Sequence, residues 1–210
     1  MKFYENAPTA RHLNEQEQAS YEEACKQFGE KARNSLNVSQ KGSNLWKVLL
    51  LNQTGIKTAS LEELGNLAEQ NPEFLRGTYE DSPSVVLRSN GDNSSNDYLA
   101  QQLADFVGKS AIKTPIVISG LEIKADDSSS YGLSFDKGDR FESFEAPQLA
   151  HENHQKRFSK FDEKGMPIFD ENGDKTLYTR VRGVSRLFLG RDLGLSRGTS
   201  SWLTPTIMVG

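Results

Sequence analysis

Apolar positions recur at helical spacing through the first third of the chain. From Asn14 onward, Tyr21, Ala24, Cys25, Phe28, Ala32 and Leu36 fall at steps of three and four and trace one stripe. Asn14 is the expected N-cap, with Glu15 and Glu17 favourably placed against the helix dipole. Gly29 weakens this helix without excluding it. A loop is expected over 37–43. The run Leu45 to Leu51 then fits either a buried helix or a strand. Ser60-Leu61-Glu62-Glu63 is a capping box, with Leu61, Leu64, Leu67 and Ala68 as the stripe behind it. Asn71-Pro72 should end that helix.

The pattern then changes. Ser84 to Arg88 is short and β-rich, and residues 89–96 are almost entirely turn formers. Leu99, Leu103, Phe106 and Val107 make a further helical stripe, capped by Asn96 and closed by Gly108. Pro115 to Lys124 reads as a strand, with Gly120 marking a bulge. Strand, helix and strand outline a βαβ unit, or two antiparallel neighbours with a helical excursion. Further on, Tyr131–Phe135 and Phe141–Phe144 are separate strand candidates. Pro167–Phe169 and Thr176–Thr179 read as a hairpin with Asn172-Gly173 at its tip. Val184–Leu189, Leu193–Leu195 and Thr206–Val209 add three more short candidates. The expected class is α+β: a helical N-terminal region, a mixed segment and a β-rich C-terminal half. Residues 1–78 form the helical region and 79–210 the α+β part, as two units or one domain.

Composition narrows the class. Only 35% of the 210 residues are hydrophobic and mean hydropathy is −0.63, so the core is expected to be modest and the loops long. No apolar run approaches the roughly 20 residues of a membrane helix, so no membrane partner is expected. One cysteine, Cys25, and a start without an apolar signal region lead us to expect a cytoplasmic protein.

Charge is unevenly spread. Residues 51–150 carry 8 basic and 16 acidic side chains, whereas residues 151–210 carry 10 and 7. After Lys175 every base is an arginine: Arg180, Arg182, Arg186, Arg191 and Arg197 stand against one acid, Asp192. Arginine offers a planar fork for phosphate or carboxylate. If the strand alternation holds, Tyr178, Arg180 and Arg182 share one face, and with Arg186 and Arg191 they form a candidate binding strip. Its partner is another protein, the acidic middle of this chain or of a second subunit, or a nucleic acid whose bases stack on tyrosine.

Catalytic and metal signals are thin. His151 and His154 share a helical face but lack a third ligand at zinc spacing, so no metal is expected. Asp170 to Asp174 fails as a calcium loop, because Lys175 stands where glycine is needed and Val181 where glutamate is. Cys25 lies on an apolar stripe and reads as a core residue. The loop 89–96 precedes a helix N-terminus but has no phosphate-binding glycine pattern. No cofactor is expected.

Glu122 and Lys124, two apart on a strand, face the same way and would meet at one metal-bound phosphate. This Leu-Glu-Ile-Lys sequence resembles the Glu-x-Lys half of the restriction-endonuclease-like nucleases. The resemblance implies metal-dependent nucleic-acid cleavage with a further acid from Asp81, Asp92, Asp97 or Asp105. The favoured reading remains a non-catalytic binding protein: a regulator, an inhibitor or an assembly subunit. The nuclease and a purely structural subunit are the alternatives.

Overall fold

A computed structural model describes residues 13–37, 44–71, 80–89, 97–179, 183–189 and 195–197, without the side chains of residues 80, 186–189 and 195–197. The fold is α+β, with helices concentrated at the front and two antiparallel sheets behind them.

Helix α1 (Glu15–Cys25) opens on the expected cap. Asn14 Oδ1 accepts from the Glu17 N–H at 2.9 Å and Glu17 accepts from the Asn14 N–H at 2.9 Å, which satisfies two orphan donors reciprocally. The helix does not run through Gly29. It stops at Cys25, and Gly29, in extended conformation, becomes the N-cap of α2 (Glu30–Leu36). The break folds the stripe back on itself, so the buried Tyr21 hydroxyl donates to the Leu36 carbonyl at 2.5 Å. Burial raises the Tyr21 phenol and the Cys25 thiol above their usual pKa values, which disfavours a thiolate.

The Leu45–Leu51 run is helix α3 (Leu45–Gln53), and all of residues 45–51 are buried, Lys47 included. A strand would have sent alternate residues to two faces, whereas this segment is surrounded. Helix α4 (Leu61–Gln70) starts at its capping box, with Ser60 and Glu63 bonded both ways, and Asn71 is its C-cap.

The larger sheet holds β1 (Glu80–Leu87), β2 (Ile116–Ala125), β3 (Leu133–Glu145), β7 (Val184–Leu189) and β8 (Leu195–Arg197) in the order β3-β2-β1-β7-β8. Helix α5 (Asp97–Val107) links β1 to β2 and ends at Gly108. The two strands are antiparallel, with Leu87 opposite Ile116, so a parallel βαβ unit is ruled out. The connection leaves and re-enters at the same end of the sheet and needs no crossover. Tyr131–Phe135 and Phe141–Phe144 prove to be parts of one 13-residue strand, β3. The polar stretch between them stays in the strand because one of its faces meets solvent.

The smaller sheet, in order β5-β4-β6, consists of β4 (Arg157–Phe161), β5 (Pro167–Phe169) and β6 (Lys175–Thr176). The Asn-Gly hairpin is overturned here. β5 and β6 do not pair with each other; both pair with β4. The Asp170–Asp174 turn instead passes across β4, where Arg157 Nε donates to the Gly173 carbonyl at 2.6 Å. The true hairpin turn lies at 162–166: Asp162 Oδ1 accepts from the Lys164 and Met166 N–H groups, and Gly165 takes a positive φ of 73°. Residues 206–209 and the 193–194 part of another strand candidate lie outside the described residues.

Strand alternation sorts the apolar side chains into two cores. Val85, Leu87, Ile116, Ile118, Leu121, Ile123 and Phe135 face helices α1, α2, α3 and α5. Val86 and Val117 point the other way, toward Leu61 of α4, Leu149, Phe158, Met166 and Leu177. In the first core Trp46 stacks on Phe135 with ring centroids 4.8 Å apart.

Two glutamines close exposed strand edges. Gln102 donates to the Phe135 carbonyl at 2.9 Å and accepts from its N–H at 3.0 Å. Gln53 does the same for Ile123, at 3.1 and 3.0 Å. Phe135 and Ile123 are cross-strand partners, so the far ends of β2 and β3 are sealed from both sides by side-chain amides.

Candidate binding groove

The groove begins with one glycine. Between the pairs Ser119–Glu142 and Leu121–Lys137, β2 contributes only Gly120 while β3 contributes residues 138–141. Gly120 has φ of 66°, and a Cβ there would fall 2.0 Å from the Arg140 carbonyl oxygen. Only glycine fits. This bulge shifts the phase of β2. Ile116 and Ile118 face the helical core before it, and Leu121 and Ile123 do so after it, which turns Glu122 and Lys124 outward.

Opposite this outward face stand the N-terminus of α4 and the β4–β5 turn. Gly165 lets that turn sit against Leu61, where a Cβ would come within 2.7 Å of the helix backbone. Three hollows result. One of about 600 Å³ is lined by Lys57, Ser60, Ser119, Glu122, Asp139, Arg140 and Glu142, among others. The next, about 470 Å³, shares Ser60, Ser119 and Glu142 with it and adds Glu62, Phe144, Glu163 and Lys164. A third, about 450 Å³, shares Phe144, Glu163 and Lys164 with the second and ends at Gln148 and Met166. Shared walls make them one open groove across the outer face of β2 and β3.

Its charge is unbalanced. Lys57 is bonded to Glu63 at 2.6 Å, and the neighbouring Lys124 meets Asp136 at 3.4 Å. Lys164 lies over the Phe144 ring, 4.9 Å from its centroid. Glu62, Glu122, Asp139, Glu142 and Glu163 are exposed and, among the described residues, form no ion pair. Among the described residues, five such carboxylates therefore face the groove against two cations, Arg140 and Lys164, that are likewise outside any ion pair there. Such a surface suits a cationic ligand.

The acids proposed to complete a nuclease site are scattered as far as the structure describes them. Asp81 is buried on β1, Asp97 opens α5, and Asp105 accepts from Gln101 on the same helix. Asp92 lies outside the described residues. Asp136, which sequence reasoning did not name, is the cross-strand partner of Glu122. Among the described residues, no three of the side chains able to bind a metal come together.

The arginine strip is only partly in view. Tyr178 is 43% exposed between the buried Leu177 and Thr179, so alternation holds over these three residues. Arg180, Arg182 and Arg191 lie outside the described residues; Arg186 is on β7, opposite Val85. Tyr178 meets His154 edge-to-face at 6.0 Å, and His154 stacks on His151 at 6.0 Å. His154 Nδ1 accepts from the Thr179 N–H at 3.2 Å, which ties the two-histidine turn to this segment.

The chain matches no family model, no curated protein and no solved structure.

Sequence reasoning singled out Glu122, paired with Lys124 for a different chemistry, but missed Glu62, Asp139, Glu142 and Glu163, which line the same groove. The excess of acids over 51–150 was a signal for three of them. Glu163 sits in the basic tail of the sequence, residues 151–210, and carried none.

Proposed function

We propose that the protein is a non-catalytic interaction protein, a regulator, an inhibitor or a subunit of an assembly, that receives a positively charged segment of a protein partner in the acidic groove. The arginine and aromatic strip around Tyr178 and Arg186 is its second contact surface. The observation that supports this reading is the set of five groove carboxylates that form no ion pair among the described residues. An exposed pair contributes only about 0.2–1 kcal/mol. Several along one groove set orientation and speed of encounter as well as affinity.

The test is a fluorescence-anisotropy titration of a labelled oligoarginine peptide against the whole chain. Binding should weaken with salt, and joint Glu122→Lys and Glu142→Lys substitution should lower affinity about tenfold or more, an effect of about 1.4 kcal/mol. Unchanged affinity in that variant would overturn the reading. Single- and double-stranded DNA and RNA, with and without magnesium, form the competing arms. Salt-sensitive nucleic-acid binding whose salt slope flattens with Arg180→Ala and Arg182→Ala would move function to the arginine strip. Magnesium-dependent cleavage abolished by Glu122→Ala would instead establish the nuclease.

A further inference from the structure

We propose that Asn172-Gly173 is a modification site gated by the fold: the closed turn keeps it intact, and opening of the turn converts Asn172 to isoaspartate or aspartate. The chemistry needs only these two residues and water. The Gly173 amide nitrogen attacks Cγ of the Asn172 side chain. The N–Cγ bond forms, the Cγ–Nδ2 bond breaks, and ammonia leaves with the amide proton. Water then opens the cyclic imide at either carbonyl. One opening routes the main chain through the side chain, as isoaspartate, and the other restores its course, as aspartate. Glycine after asparagine favours the attack because no side chain shields its nitrogen.

The turn supplies the gate. Asn172 is exposed at the tip of the Asp170–Asp174 turn, whereas Gly173 is buried. The attacking nitrogen is occupied, because the Gly173 N–H donates to the Asp170 carbonyl at 2.9 Å. The Asn172 N–H donates to Asp170 Oδ1 at 3.0 Å, and Arg157 Nε holds the Gly173 carbonyl at 2.6 Å. Asp170 Oδ2 accepts from Ser159 Oγ at 3.0 Å, which ties the turn to β4 a second time. Attack requires the Gly173 nitrogen to give up its bond to Asp170 and swing toward Cγ, and these contacts resist that. The site also closes only once. A Cβ on Gly173 would fall 2.3 Å from the Phe158 carbonyl, so the turn has no slack against β4. Isoaspartate lengthens the main chain by a carbon just before Gly173, and the reacted turn cannot reseat. The site lies in the smaller sheet and is independent of what the groove binds.

Peptide mapping by mass spectrometry, with enzymatic methylation to count isoaspartate, tests this on the whole chain in mildly alkaline buffer with and without urea. Asn90-Gly91-Asp92 repeats the sequence of Asn172-Gly173-Asp174 and serves as an internal clock, since in urea the two should convert alike. In native buffer, conversion at Asn172 should be slower than in urea by about tenfold or more, because only the open fraction reacts. Arg157→Ala frees the Gly173 carbonyl and should raise the native rate several-fold while leaving the rate in urea unchanged. Ser159→Ala, which releases only the Asp170 carboxylate, gives the same reading if Arg157→Ala fails to fold. Asn172→Gln should abolish the product at this position. The converted fraction, returned to native buffer, should exchange its β4 amides faster than the unconverted chain. Equal rates at Asn172 with and without urea overturn the gate, as does an unchanged native rate in both variants. A native chain that never forms the product overturns the site for the folded protein. Normal β4 exchange in the converted fraction overturns the one-way closure.

Discussion

The two faces of the larger sheet are built from the same strands and serve different ends. The inner face is dry: Trp46, Leu49 and Leu103 from two helices meet Ile118, Ile123 and Phe135 with almost no exposure. The outer face is covered over β1 and the first half of β2, where Val86 and Val117 meet α4 and the smaller sheet. Over the second half, Glu122, Lys124 and Asp136 stand in solvent, and the groove opens beside them. Gly120 marks the transition. The contrast teaches that a strand can hold a core with one face while the other is free to specialise in charge.

The largest expected effect breaks the inner face. Trp46→Ala should destabilise by about 3–5 kcal/mol, because it removes a fully packed ring and its stack on Phe135. Urea unfolding measures this, and a loss below about 1 kcal/mol would show that the inner face is not the stability core.

Gly120→Ala should come next, at about 2–3 kcal/mol from the positive φ and the clash with the Arg140 carbonyl. The same variant should weaken oligoarginine binding, since Glu122 and Glu142 flank the bulge. Full stability with normal binding would show that the bulge does not define the groove.

Gln102→Ala leaves both the Phe135 N–H and its carbonyl without their partner, at a cost of about 1–3 kcal/mol. Amide hydrogen exchange at Phe135 should accelerate, while exchange at Val86 stays slow. Uniform acceleration would mean that the edge and the sheet centre open together.

The smallest effect lies at the rim. The Tyr98 hydroxyl donates to Asp126 Oδ2 at 2.6 Å and holds that carboxyl below its usual range. A lowered folded-state pKa stabilises above the unfolded value, and that stabilisation fades as pH falls through the folded value. Tyr98→Phe should therefore raise the Asp126 pKa and remove a small acid-side loss of stability. Carboxyl NMR titration of Asp126 reads this directly, and an unmoved Asp126 would reject the coupling.

How much was legible depended on how far apart the interacting residues lie. Asn14 with Glu17, Ser60 with Glu63, and Gly108 behind its stripe are contacts within one or two turns, and each helix boundary they mark stands as expected. Gly120 was legible for the same reason: alternation in Ile116–Lys124 slips by one residue there. Gly29 misled because its own propensity tolerates a helix, whereas Tyr21 and Leu36 need a bend to meet. Asn172-Gly173 misled because its turn chemistry is sound but the strands it joins find a common partner in β4. At 162–166, Asp first and Gly fourth was an available turn signal that went unread.

Sequence alone determined the α+β class, the caps, the stripes, the bulge at Gly120 and the separation of an acidic middle from a basic tail, because these follow from spacing along the chain. Only the tertiary structure decided that β1 and β2 run antiparallel, that two glutamines seal the strand edges, and that Glu62, Glu122, Glu142 and Glu163 share one groove. Those residues come from α4, β2, β3 and the β4–β5 turn, about a hundred residues apart at the extremes. The interactions that unite them, steric fit and electrostatics over a few ångströms, depend on distance in space rather than along the chain.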